Sequence, residues 1–147
     1  MAAIRKSLAV WQGDLASGSG RVSASTSGAF TDLPVTWASR TETADGRTSP
    51  EELIAAAHAA CYCMALSSEV GKAGSPATRL EVSATVTFDR IDGKWTVAKS
   101  ELQVTGRVPG ISAEAFRGLA TAAKDGCPVS RALAGNVAIS VEPLLEA

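Results

Sequence analysis

"GRTSPEELIAAAHAACYCMALSSEVGKAG", residues 46–74, decides the fold. Ser49 is a good helix N-cap, Pro50 suits the first helical position, and Glu52 follows three residues after Ser49 as a capping box requires. Glu51 and Glu52 favour the positive end of the helix dipole. Gly71, or Gly74 after it, is a stop signal. Between these signals nearly every face carries Ala, Leu, Ile, Cys or Met, which predicts a long helix covered on all sides. The same segment holds the only histidine, His58, and two of the three cysteines, Cys61 and Cys63.

Outward from this helix the chain reads as sheet material on both sides. Upstream, "SLAVWQG", "GRVSAST" and "LPVTWASR" are strand-like and are separated by the short Gly/Ser-rich breaks "LASGSGR" and "STSGAF", which fit hairpin connections. They predict a small antiparallel sheet, with Pro34 at a strand start or edge because it cannot donate to a ladder. Downstream, Leu80, Val82, Ala84, Val86 and Phe88 alternate with polar residues at the period of a half-buried strand. Asp92-Gly93 marks a hairpin turn. The return strand, about Lys94 to Val108, shifts its apolar parity between Val97 and Leu102, which predicts a bulge. "ISAEAFRGLATAAKDG" reads as a second helix capped by Ser112 and ended near Gly126. Pro128 opens a single helical turn in "CPVSRAL", and "NVAISVEP" supplies a last strand. Sheet, helix, hairpin, helix, strand is an α+β order.

A chain of 147 residues is the size of one compact domain, 1–147. Apolar residues at 46% and charged ones at 20% exclude disordered and coiled-coil classes. A net charge of −1 without a Lys/Arg block argues against nucleic acid as a partner. "MAAIRKSLAVWQGD" is too briefly apolar for a signal-peptide core, and the low-charge stretch from Leu53 to Ser67 is too short for a membrane span. The expected setting is therefore the cytoplasm, with no membrane. Three unevenly spaced cysteines make a poor disulfide framework; in a reducing compartment such thiols are catalytic, metal-binding or simply buried.

Cys61 and Cys63 point about 200° apart on a helix, so they cannot share one small site. His58 and Cys61, three apart, do share a face. With Cys127 they offer three ligands for a small Cys/His metal-binding module, and alone they offer a cysteine–histidine nucleophile. Buried inert thiols in a non-enzymatic dimeric protein are the blander reading, and the preferred one for Cys63. Cys127, between Gly126 and Pro128, sits at the start of a helical turn, where unpaired N–H groups favour a thiolate.

"SPEELIAAAHAACYCMALS" followed by "GCPVSRAL" resembles the OsmC/Ohr family of thiol-dependent peroxidases, in its OsmC (osmotically inducible) branch, and "VPGISAEAF" with the order of elements extends the likeness over nearly the whole chain. The resemblance implies antiparallel sheets wrapped around a long buried central helix in an intertwined dimer. It also implies reduction of organic hydroperoxides in oxidative or osmotic stress defence. Cys61 matches the peroxidatic cysteine, Cys127 the resolving cysteine, and Glu51 and Arg40 the family's acidic residue and arginine; "TETADGR" also offers Arg47. Tyr62 and Cys63 depart from the phenylalanine and serine of the usual pattern.

On that resemblance, the Arg40 guanidinium, held by Glu51 in a bidentate pair, lowers the Cys61 pKa from its ordinary value of about 8.5. Cys61 thiolate then opens the O–O bond, becomes a sulfenic acid and condenses with Cys127 to a disulfide. A dithiol reductant, a lipoyl-bearing protein by resemblance, resets the pair; no bound cofactor or metal is implied. Apolar neighbours such as Met64 favour bulky alkyl substrates. Glu51 and Cys61 lie ten residues apart, about 15 Å along one straight helix. A single site using both therefore asks for a long bridge or a second chain; the apolar helix and the resemblance favour the dimer, and an isolated monomer is expected to be unstable.

Overall fold

The computed structural model describes residues 1–146. The chain falls into two compact units, Met1–Leu53 and the residues from Ile54 onward. In the first, β1 (Leu8–Gln12), β2 (Ser19–Ser23) and β3 (Leu33–Val35) form an antiparallel meander in the order β1-β2-β3. Pro34 lies in edge strand β3, where its missing N–H costs no ladder bond. The strand reading of "LPVTWASR" holds only to Val35. Trp37–Thr41 is a short helix, α1, because Thr36 and Ser39 cap each other: the Thr36 hydroxyl accepts from the Ser39 amide at 3.0 Å and the Ser39 hydroxyl accepts from the Thr36 amide at 3.1 Å.

Helix α2 runs from Pro50 to Lys72. Ser49 accepts the Glu52 amide at 3.1 Å, but the Glu52 carboxylate takes the Thr48 hydroxyl, so only half of the expected capping box forms. The helix closes at Gly74, whose φ of +81° suits glycine, with its amide on the Gly71 carbonyl and that of Ser75 on Val70.

In the second unit β4 (Arg79–Ile91) and β5 (Lys94–Arg107) form a long antiparallel hairpin closed by Asp92 and Gly93, both at positive φ. Thr87 pairs with Lys99 and Phe88 with Val97, leaving Ala98 as the extra residue of the bulge. Helices α3 (Ala113–Gly126) and α4 (Pro128–Leu133) lead to β6 (Ala138–Leu145). Strand β6 pairs with β5 in parallel, a departure from an all-antiparallel sheet, because the crossover through two helices returns the chain to the same end.

The core of this unit is Tyr62, Leu66 and Val70 of α2, Leu102 and Val104 of β5 with Val108, Phe116, Ala120 and Ala123 of α3, and Cys127. Each large apolar side chain withdrawn from water here contributes roughly 1.5–3 kcal/mol. Gly106 is required on β5, since a Cβ there would lie 2.4 Å from the Phe116 ring.

In the single chain α2 is fully buried along one stripe only. His58, Tyr62, Leu66 and Val70, four residues apart, line the one fully buried stripe beyond the first turn, whereas Ala56, Ala60 and Met64 are exposed, Met64 at 68%. By length and composition alone α2 also passes for a membrane span, since it runs to 23 residues, beyond the low-charge stretch. Its buried stripe, however, packs within the protein core.

Candidate active site

Arg40 lies in the last turn of α1 and Glu51 in the first turn of α2, and the capping described above sets both. Arg40 Nε donates to Glu51 Oε1 at 2.9 Å and Oε2 at 3.1 Å, and Nη2 donates to Oε1 at 2.8 Å. Glu51 is buried, so its charge needs this fork. The guanidinium carbon also sits 5.7 Å from the Trp37 ring centroid. Arg47 pairs instead with Asp45, at the surface. The two arginines open in the sequence are thereby told apart: Arg40 is the partner of Glu51.

The three cysteines are free thiols, Cys61 and Cys63 half-buried and Cys127 fully buried. Cys127 ends α3 and N-caps α4; its amide donates to the Ala123 carbonyl at 2.9 Å and its carbonyl accepts from Arg131 at 3.0 Å. Cys61 and Cys127 lie close enough for each to shift the other's ionisation. Burial pushes the Cys61 thiol up; the Val129 amide opposes this, and Cys127 adds to it. Burial also pushes up Cys127, but the Ser130 amide, the Cys61 thiol, the Ser130 hydroxyl and the Val129 amide outweigh it and leave Cys127 below the ordinary range. In the single chain the two shifts therefore run in opposite directions, Cys61 up and Cys127 down, whereas the resemblance implied a lowered Cys61. Burial raises Cys63.

His58 is fully buried, with Nδ1 2.7 Å from the Ser100 hydroxyl and Nε2 2.8 Å from that of Ser130. Both nitrogens are occupied, which removes His58 as a base for Cys61 and as a metal ligand. Ser100 and Ser130 escaped the sequence reading because single serines in a strand and a turn carry no periodic signal. Among the described residues no group of three or more His, Cys, Asp and Glu side chains could hold a metal ion.

The model of the family described as "OsmC-like protein" matches residues 43–142. The chain belongs to the OsmC-like family. That match begins after Arg40 and includes Glu51, Cys61 and Cys127. Among OsmC-like relatives, the chain is 41% identical to "Peroxiredoxin OsmC" of Escherichia coli over 138 residues, 94% of this chain and 95% of the relative. It is 32% identical to "Organic hydroperoxide resistance protein OhrA" of Bacillus subtilis over 113 residues, 76% and 77% of the two chains. The crystal structure of an OsmC-like protein from Mycoplasma pneumoniae superposes with a TM-score of 0.75 at 16% identity, over 100% of both chains, and shares the fold.

Proposed function

We propose that this OsmC-like protein is a peroxidase that reduces organic hydroperoxides to alcohols through a Cys61 sulfenic acid and a Cys61–Cys127 disulfide. The observation that carries the reading is that Cys61 and Cys127 lie close enough for each to shift the other's ionisation, in a chain similar to a peroxiredoxin. Cys61 is the half-exposed member and attacks; Cys127, buried, resolves. Attack breaks the O–O bond, the alkoxide leaves with the Cys61 proton as alcohol, and Cys127 displaces hydroxide from the sulfenic acid.

Arg40 and Glu51 belong to the same catalytic centre in this reading. Ten residues of α2 separate Glu51 from Cys61, about 15 Å. A homodimer supplies the missing proximity, and it covers the exposed Ala56, Ala60 and Met64 face. We take residues 1–147 as one OsmC-like domain; the family match, residues 43–142, begins within the first compact unit, and α2 runs from that unit into the second. An external dithiol, borne on a lipoylated protein, reduces the disulfide without a bound cofactor. The protein works in the cytoplasm in oxidative or osmotic stress defence, off the membrane and without nucleic acid, consistent with a net charge of −1.

The test is peptide mass mapping after one equivalent of an alkyl hydroperoxide, with a Cys61→Ser control. A Cys61–Cys127 disulfide absent from the control supports the cycle. Unchanged thiols in the wild type would leave the peroxidase reading without its chemistry and favour inert buried thiols.

A further inference from the structure

The two redox cysteines differ in access. Cys127 is 0% exposed and belongs to the core cluster with Tyr62, Leu66 and Ala123, whereas Cys61 is half-buried and only packs against that cluster from α2. The backbone encloses Cys127 as well, because it is at once the C-cap of α3 and the N-cap of α4. Its amide donates to the Ala123 carbonyl at 2.9 Å and its carbonyl accepts from the Arg131 amide at 3.0 Å. Bringing its sulfur to the surface would mean undoing the junction of two helices and leaving those backbone groups unpaired. Thiol–disulfide exchange requires an incoming thiolate to reach one sulfur while the other leaves, so access decides which sulfur is attacked.

We propose that the external dithiol attacks the Cys61 sulfur of the disulfide, so that the mixed disulfide with the reductant forms on Cys61 and Cys127 is the leaving thiolate. This rests on the peroxidase reading above and names the atom at which the reductant of that cycle acts. In the first exchange a thiolate of the reductant bonds to the Cys61 sulfur, the Cys61–Cys127 bond breaks, and its electron pair goes to Cys127. In the second, the other thiolate of the reductant attacks the reductant's own sulfur in the mixed disulfide. The reductant closes to a cyclic disulfide and Cys61 leaves as thiolate. The dithiol loses two electrons, the protein disulfide gains them, and the two dithiol protons end on the two cysteines. Cys127 lies below the ordinary thiol range, and the more acidic thiol leaves faster. The peroxide must touch Cys61 too, so oxidant and reductant use one opening in turn, and the cycle needs no docking site beside Cys127.

The experiment uses the full-length Cys63→Ser protein, so that the tryptic peptides 48–72 and 125–131 carry one redox thiol each. One equivalent of tert-butyl hydroperoxide closes the Cys61–Cys127 disulfide, and a brief pulse of 2-mercaptoethanol, a monothiol that cannot cyclise, opens it. Acid quench, alkylation and peptide mass mapping then locate the adduct. It should sit on Cys61 in about tenfold excess or more, since a buried cysteine is inert to exchange. An adduct mainly on Cys127, or shared evenly, overturns the inference and leaves the peroxidase reading intact. Should reclosure outrun the quench, chains with a single thiol decide, because exchange in either direction passes through the same mixed disulfide. Cys61, alone in the Cys63→Ser and Cys127→Ser double variant, should then react with oxidised lipoamide about tenfold faster than Cys127 alone in the Cys61→Ser and Cys63→Ser double variant. Equal rates, or a faster Cys127, overturn the inference. A protein that forms no disulfide with the peroxide overturns the peroxidase reading, and the inference with it.

Discussion

Arg40 and Glu51, eleven residues apart, meet through three hydrogen bonds of 2.8 to 3.1 Å. The carboxylate side chain is 8% exposed and the guanidinium side chain 29%. An ion so withdrawn from water is tolerable only when it is paired and oriented, and the planar fork does both.

Arg40→Lys keeps the charge and loses the fork. It should cost about 1–2 kcal/mol in urea denaturation, the range for a hydrogen bond to a charged group. Arg47→Lys, in an exposed pair, should change stability by less than about 0.5 kcal/mol. Equal losses in the two variants would show that the Arg40 geometry is incidental.

Tyr62, the only tyrosine, is fully buried and donates its hydroxyl to the Ala120 carbonyl at 2.7 Å. Burial first, then the nearby Cys127 and Cys63, pushes its phenol above the ordinary range. Phenolate absorbance at 295 nm should be absent from the folded protein at about pH 11, past the ordinary value of about 10, and appear on unfolding. A midpoint near the ordinary value while the fold persists contradicts this.

His58 is held below the ordinary imidazole range by burial. In mild acid the unfolded chain therefore binds a proton that the folded chain does not, and stability rises with pH in that window. The contribution is complete above about pH 6.5 and is lost as pH falls from there toward the folded-state value. Urea denaturation from about pH 7.5 to 5 should fall more steeply for wild type than for His58→Gln, which lacks the titrating group. Parallel curves would rule out the His58 contribution.

Gly106→Ala places a Cβ against the buried Phe116 ring. Overpacking of this kind costs about 1–3 kcal/mol, read as a lower urea midpoint at unchanged slope. Phe116→Leu in the same chain should recover part of the loss through coupling between neighbours. An undisturbed midpoint for Gly106→Ala alone would mean that the ring moves aside freely.

Met64→Lys puts a charge on the apolar face of α2 that the single chain leaves open. In the proposed dimer this face is buried, so sedimentation at micromolar concentration should show a wild-type dimer and a dissociated or unfolded variant. A compact wild-type monomer would remove the dimer from the proposal.

Local signals determined much of this protein. Ser49 and Pro50 start α2, Gly74 ends it, Asp92-Gly93 turns the long hairpin, and Ser112 caps α3, because each acts on backbone groups within a few residues of itself. The cysteine and acidic positions were legible in the same way, as parts of motifs.

Only the tertiary structure decided what depends on distant partners. Thr36 and Ser39 turned an apparent strand into α1, which carries Arg40 to Glu51 rather than Arg47. The helical crossover made β6 parallel to β5. Ser130 reaches His58 from 72 residues away and Ser100 from 42, and neither serine stands out from its neighbours in sequence. The opposite shifts of the Cys61 and Cys127 thiols likewise arise only when burial and hydrogen-bond donors from separate elements act on both sulfurs at once. Sequence spacing specifies local hydrogen bonds well, whereas the protonation of a buried group is set by every element packed against it.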